Sequence, residues 1–255
     1  VIFRIIHAMI VVTFFLLVIT GLPLRFSCTV WAPSLMGLLG GAEVAGRIHR
    51  ITGLFMFGYF IMYMVYLVGV FARSQRRLEL FVGANSILFR EQDLRDIIAM
   101  MKYFFGKGPH PRFGRFSYME KFDYFAEMWG VGAIGFTGLM LWFPNLFTRF
   151  LPGEALNVAK IIHSEEALLA TGFVFAIHFF NTHLRAEKFP MDMAVLTGLI
   201  SEEEMKDERP DWMARLQREG KLDQLRGDGP TRRHLLVVWV GGFLALAVGL
   251  SLLVG

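Results

Sequence analysis

One cysteine, Cys28, is all the thiol that the 255 residues carry. No disulfide can form within the chain, and no CxxCH motif is present to attach a haem covalently. An iron–sulfur cluster, which takes about four ligands, cannot be held by this chain alone. Neither sign of charge dominates, with 26 Lys and Arg against 22 Asp and Glu. The formal net charge is +4, and no basic run marks a nucleic-acid surface. Repeats and low-complexity tracts are missing. What the chain has instead is apolar surface: 55% hydrophobic and 15% aromatic residues with positive mean hydropathy place it among membrane proteins.

Five apolar runs reach the roughly 20 residues needed to cross a bilayer. They lie at about 5–24, 51–71, 122–144, 162–184 and 235–254. The fold expected is all-α, an integral membrane helical bundle with four core helices and a fifth span. The first run is not a cleavable signal peptide, because Arg4 and His7 interrupt it and no small-residue cleavage site follows. The chain opens on Val1 rather than Met, which leaves room for residues ahead of it. The connection 72–121 carries ten Lys and Arg, and 185–233 carries ten more. The other two connections share five: Arg25, Arg47, Arg50, Arg149 and Lys160. The positive-inside rule puts the N-terminus and both long loops in the cytoplasm and the C-terminus outside. A multi-pass protein of a cytoplasmic membrane is expected, with lipid as its surroundings.

The long loops are not empty. In REQDLRDIIAMMKYFFG, residues Leu94, Ile97, Ile98, Met101, Phe104 and Phe105 fall near helical spacing with charges opposite. An amphipathic helix over about 90–105 is expected, lying on the inner membrane surface. GKGPHPRFGRF ends it before the third span. The cytoplasmic loop 186–233 is polar, and SEEEMKDERPDWMARLQREGKLDQL predicts one or two short soluble helices. The division expected is a core over 1–185, this loop, and a fifth helix over 234–255.

Histidine is the residue type out of place. His7, His49, His163 and His178 sit in or at the ends of apolar runs. On an α-helix His163 and His178 differ by about 60° in direction and roughly 22 Å in height, so they share a broad face. His183 falls about 140° from His178, on the other side. By topology His7 and His178 lie at the inner level, and His49 and His163 at the outer. Two imidazoles at one level on different helices suit the axial positions of a six-coordinate haem. Two such sites, irons roughly 20 Å apart, form a transmembrane electron path. Gly53, Gly172, Gly130, Gly132, Gly135 and Gly138 would let a macrocycle or helix approach closely. Interhelical hydrogen bonding accounts for any one membrane histidine, but poorly for four matched in level. A zinc or non-haem iron site would want a third histidine or a carboxylate.

These residues resemble a known family. RIIHAMIVVTFFLLVITGLPL, GRIHRITGLFMFGYF, DLRDIIAMMKYFFG, RFSYMEKFDYFAEMWG and HSEEALLATGFVFAIHFFNTHLR are similar to the di-haem cytochrome b subunit of formate dehydrogenase (its gamma subunit), with relatives in nickel–iron hydrogenase and thiosulfate reductase. The resemblance covers most of 4–185. It implies two haem b groups with His7, His49, His163 and His178 as ligands, paired His7–His178 and His49–His163. It also implies exchange with a membrane quinone, menaquinone or ubiquinone, near the inner haem. An outer-face redox subunit with iron–sulfur clusters or c-type haems would be the partner, in a quinone-linked oxidoreductase complex of a respiratory chain. The fifth span and the loop 201–226 depart from the family's pattern.

Chemistry at the inner end has local candidates. Glu120, Asp123 and Glu127 stand at i, i+3 and i+7 on one helix face entering the membrane, where ionisable groups are functional candidates. With Lys121 and His183 they form a candidate quinone and proton site; snorkelling charge is the plainer reading. Arg4 and Arg50 beside the ligands, and Lys121, Arg112 and Arg115, are candidates for haem propionates. His183 paired with His110 or His234 would make a third haem, though His110 and His234 look like surface residues. Glu165 and Glu166 could tune the outer haem or a docked partner. Two rival functions are open: a self-contained transmembrane reductase, and a proton or ion transporter using the histidines as a relay. The transporter predicts a polar path through the spans, and the middles of the first two are apolar.

Overall fold

Apolar runs joined by polar, glycine-marked connections give a chain of helices. The computed structural model describes residues 2–75 and 77–254, with side chains for 3–75 and 77–251. Arg76, one of the basic residues counted in the 72–121 connection, and the end positions Val1 and Gly255 lie outside the described residues. In order, the helices are α1 (Ile2–Arg25), α2 (Ala32–Leu38), α3 (Ala42–Arg73), α4 (Arg77–Val82), α5 (Glu91–Phe104), α6 (Tyr118–Trp142), α7 (Pro144–Phe147) and α8 (Glu154–Phe173). After them come α9 (Met193–Thr197), α10 (Glu202–Glu208), α11 (Pro210–Arg218), α12 (Leu222–Leu225) and α13 (Arg232–Val254). Among the described residues five helical stretches are long and apolar enough to cross a membrane: Phe3–Arg25, Ala42–Arg73, Tyr118–Trp142, Glu154–Leu184 and Arg232–Ser251.

The helices overrun the apolar runs. α3 starts at Ala42, well before position 51, directly after Gly40 and Gly41, both at positive φ. Hydropathy marks only the apolar stretch of a helix, whereas the backbone continues until a residue such as glycine stops it. His49 is therefore inside a helix rather than at its edge.

The fourth span changes type part-way. Past Phe173 it continues as two π-helical turns, Val174–His178 and Phe180–Leu184. A π turn bonds i to i+5. The rotation of about 100° per residue that relates His163, His178 and His183 on an α-helix does not hold through this stretch.

The chain divides into two compact units. One comprises 1–66, 127–192 and 239–255. Its helices pack through aromatic contacts, with Phe175 against Phe14 and Phe15 at 6.2 and 5.9 Å between ring centroids. The hydroxyls of Thr13 and Tyr59 share a 2.7 Å hydrogen bond between α1 and α3. Arg25 and Glu165 form an ion pair.

The other unit comprises 67–126 and 193–238. Met205, Met213 and Leu216 form its small core, with Ile200, Trp212 and Leu222 against them. Three short helices stand in 201–226 where one or two are expected. Pro210, at the first position of α11, begins a new helix, and Gly220 at φ +63 ends it. In α5 the Asp93 carboxylate accepts the Arg90 backbone N–H at 2.6 Å, closing the first turn. Its buried side is acidic: Asp93 and Asp96 are buried, whereas Leu94, Ile98, Met101, Phe104 and Phe105 are exposed. Lys121, at the foot of α6, is fully buried and donates to Asp93 at 2.8 Å. Arg209 pairs with Glu120 at 2.7 Å, and Arg112 with Asp211 at 2.8 Å.

Candidate functional site

The fold brings four of the seven histidines together in two pairs. His7 of α1 faces His178 of the π-helical stretch, with ring centroids 6.3 Å apart and ring planes 48° apart. His49 of α3 faces His163 of α8 at 6.2 Å and 72°. Each pair joins two different helices, and all four rings are half-buried.

The second pair is held by a matched set of neighbours. Thr20 of α1 donates its hydroxyl hydrogen to the Leu16 carbonyl at 2.6 Å. Its oxygen therefore accepts from His49 Nδ1–H, 2.9 Å away. The Leu17 carbonyl lies against the same ring. On α6, the Ile134 carbonyl accepts from His163 Nδ1–H at 2.9 Å, and the Thr137 hydroxyl stands 3.4 Å from the same nitrogen. Residues 17, 20 and 21 on α1 and 134, 137 and 138 on α6 thus do the same work with the same spacing. A Cβ on Gly21 would lie 3.1 Å from His49 Cε1, and one on Gly138 would lie 3.0 Å from His163 Cε1. A side chain at either position would press on the ring and displace it by a few tenths of an ångström.

The hydrogen bonds decide which nitrogen is available. With the proton held on Nδ1, each ring of this pair turns a lone pair outward at Nε2. An oriented imidazole of this kind, its other nitrogen donating to a carbonyl or hydroxyl, is the usual arrangement of a metal-binding histidine. Two metal–nitrogen bonds of about 2 Å, end to end between facing ring edges, fit a 6.2 Å centroid separation. Among the described residues no group of three or more His, Cys, Asp and Glu side chains gathers to hold a bare ion. Two imidazoles suit instead a metal whose remaining four ligands come from a macrocycle.

Residues 1–185 match the family described as prokaryotic cytochrome b561. The chain belongs to that family. It is a cytochrome b subunit of the hydrogenase and formate dehydrogenase type, as the motifs imply. This cytochrome b561 is accordingly a multi-pass prokaryotic membrane protein that binds haem b and transfers electrons. Compared with curated proteins, it has no match.

The remaining candidates fall in different places. Lys121 is committed to Asp93, Glu120 to Arg209 and Arg112 to Asp211. Arg115 stacks its guanidinium over Phe116 and Trp212 at 5.2 and 5.8 Å. Arg50 stands 5.9 Å over the Trp142 ring, and Arg4 is half-buried on α1 one turn before His7. Asp123 is half-buried and Glu127 exposed on α6. His183 donates from Nδ1 to the Pro190 carbonyl at 2.9 Å and lies 4.6 Å from the Phe179 ring. His110 bonds the Pro111 carbonyl between Tyr103 and Phe113, and His234 caps the start of α13 beside Thr231. Of the glycines singled out, Gly138 meets a histidine, Gly132 and Gly135 meet Phe60 and Phe57, and Gly53 approaches Leu17. Gly130 and Gly172 have no such neighbour within 4 Å.

Thr20 and Thr137 are the neighbours of these rings that motif reading passes over. A signal for them exists. Thr-Gly occurs in each of the first four spans, at 20–21, 52–53, 137–138 and 171–172. Two of these four dipeptides back a histidine.

Proposed function

We propose that the chain binds two b-type haems, one between His7 and His178 and one between His49 and His163, and carries electrons across the membrane. The single observation behind this reading is the double pairing at 6.3 and 6.2 Å. Haem iron, held by two imidazoles, takes up and releases one electron at a time. The protein's own part is to orient the rings. Thr20 and the Ile134 carbonyl fix the tautomers of His49 and His163, and Gly21 and Gly138 fix the distance. Arg4 and Arg50, close to His7 and His49 in the chain, are the candidates for propionates.

The charge asymmetry of the loops supports an N-terminus in the cytoplasm, which puts the His7–His178 pair at the inner level. Electrons then pass between a redox subunit on the outer face, carrying iron–sulfur clusters or c-type haems, and menaquinone or ubiquinone near the inner face. Reduction of a quinone takes two protons along with two electrons. Asp123 and Glu127 on α6, with Glu120, Lys121 and His183, are the candidates for carrying those protons and meeting the quinone. α5, with its apolar residues outward, suits the inner membrane surface.

The test is haem content per purified chain by pyridine haemochrome spectrum. Two b-type haems are expected. His49→Ala should lose one and keep the other, and His7→Ala should lose the opposite one. No haem in protein made with ample haem, or both haems retained in either variant, would sink the reading.

A further inference from the structure

The family match ends at residue 185, so α13 lies beyond it. Even so, α13 packs against the stretch that carries His178. Gly242 and Gly249 are seven residues apart and so share one face of the helix within about 20°. A Cβ on Gly242 would lie 2.9 Å from both the carbonyl carbon and the oxygen of Pro190. One on Gly249 would lie 2.6 Å from Cζ of Phe179 and 2.8 Å from its Cε2. Between them Phe243 meets Phe189 edge-on at 5.7 Å.

Both contact points lead to the ligand. Phe179 follows His178 in the chain, is 5% exposed, and packs on Phe175 and on the His183 ring. The Pro190 carbonyl accepts from His183 at 2.9 Å. The Asp192 N–H donates to the Thr182 carbonyl, and the Thr182 hydroxyl donates to the carbonyl of His178 itself, both at 2.9 Å. His178, Thr182 and His183 lie on π-helical turns and Phe179 between the two; such turns are rare, short and commonly found at functional sites. A segment of that kind keeps its shape through the contacts around it.

We propose that α13 is a positioning element for the His178 ligand: its two glycine faces clamp Phe179 and Pro190 and so hold the π-helical turns that aim His178 at His7. This rests on the haem reading above. It gives the fifth helix a role inside the electron path rather than a merely anchoring one. Phe179, His183, Gly242 and Gly249 are then positioning residues for one haem and not the other.

The experiment is Gly249→Ile in the full chain, purified with its haems, with Gly241→Ala as control. Met191 Cε is 3.8 Å from a Cβ at 241, an ordinary contact. The haem missing from His7→Ala identifies the signals of the His7–His178 site. In Gly249→Ile that haem should show a shifted midpoint potential and altered low-temperature EPR g-values, and should dissociate roughly tenfold faster. The His49–His163 haem and the control should match the wild type. Phe179→Ala combined with Gly249→Ile should restore the signals, because the added atoms occupy the emptied ring space. The same double variant gives the reading if Gly249→Ile does not accumulate: wild-type signals at both haems support the clamp. Two unchanged haems in Gly249→Ile, equal disturbance of both, or a double variant still disturbed would overturn it. A wild type with no haem overturns the underlying reading too, whereas two haems in the wild type with any of those results overturn the clamp alone.

Discussion

Replacing Thr20 with Val removes the hydroxyl that meets His49, along with its bond to the Leu16 carbonyl in its own helix, with little change in the volume or shape of a buried side chain. Thr20 is 1% exposed, and its hydroxyl is 2.9 Å from His49 Nδ1. Valine leaves the Leu17 carbonyl as the remaining acceptor at that ring. Losing an outer-shell partner of a metal-binding histidine typically costs about 10–100-fold in affinity, or about 1.4–2.8 kcal/mol. On the proposed reading, Thr137→Val touches the other ligand of the same haem. There the Ile134 carbonyl, at 2.9 Å, is the main acceptor and Thr137 stands back at 3.4 Å. A contact at that distance contributes little, so Thr137→Val should cost less than about tenfold. The assay is haem transfer from the solubilised protein to excess apomyoglobin, followed by the Soret band, with the His7–His178 haem as internal reference. Thr20→Val should release one haem at least tenfold faster and leave the other unchanged. Equal effects of the two variants, or a greater effect of Thr137→Val, would refute the assignment of the hydrogen bonds.

The unit of 67–126 and 193–238 gives three more outcomes, and the bundle one. Lys121→Met leaves Asp93 buried and unpaired and should cost about 3–5 kcal/mol, seen as a lower midpoint of thermal unfolding. Adding Asp93→Asn, which keeps the α5 cap but drops the charge, should recover most of that, and an unmoved midpoint in Lys121→Met would refute the pairing. Burial raises the Asp96 carboxyl above its ordinary range, against the Gln92 amide and Lys121, with Asp93 and Asp211 adding to the rise. Its contribution to stability is then full below the ordinary carboxylate value and is lost as pH rises through the raised one. Asp96→Asn should therefore stabilise relative to wild type near neutral pH, with the gain fading toward pH 4; a gain independent of pH would contradict this. Arg25→Ala removes a half-exposed ion pair and should change stability by less than about 1 kcal/mol, measured in the same unfolding assay.

The bundle and the pairing of its histidines were legible because imidazole is conspicuous in an apolar run, and helix direction alone sorts four of them by level. Other features were hidden for physical reasons. Lys121 and Asp93 are 28 residues apart, and each looks solvated in its own stretch of sequence. Burial of the pair exists only once α5 folds against the foot of α6. The π-helical turns from Val174 to Leu184 leave no trace in hydropathy, because a helix apolar around most of its girth looks the same at either pitch. Threonine passes unnoticed because most membrane threonines bond their own helix, as Thr171 does to Ala167 at 2.7 Å. What separates Thr20 is a second partner on another helix.

The length of α3 sets how this chain fits its bilayer. Its 32 residues make a rod of about 48 Å. A hydrocarbon core is about 30 Å thick, and even a steep tilt of about 40° would bring the rod's reach across it only to about 37 Å. At least one full turn must therefore stand in the headgroup layer. With Arg73 at one end and Arg47 and Arg50 near the other, each end has guanidinium groups for lipid phosphates. Arg50 and Arg73 stand about 34 Å apart along the axis, so the helix can lean by up to about 30° before a guanidinium is drawn into a core of about 30 Å.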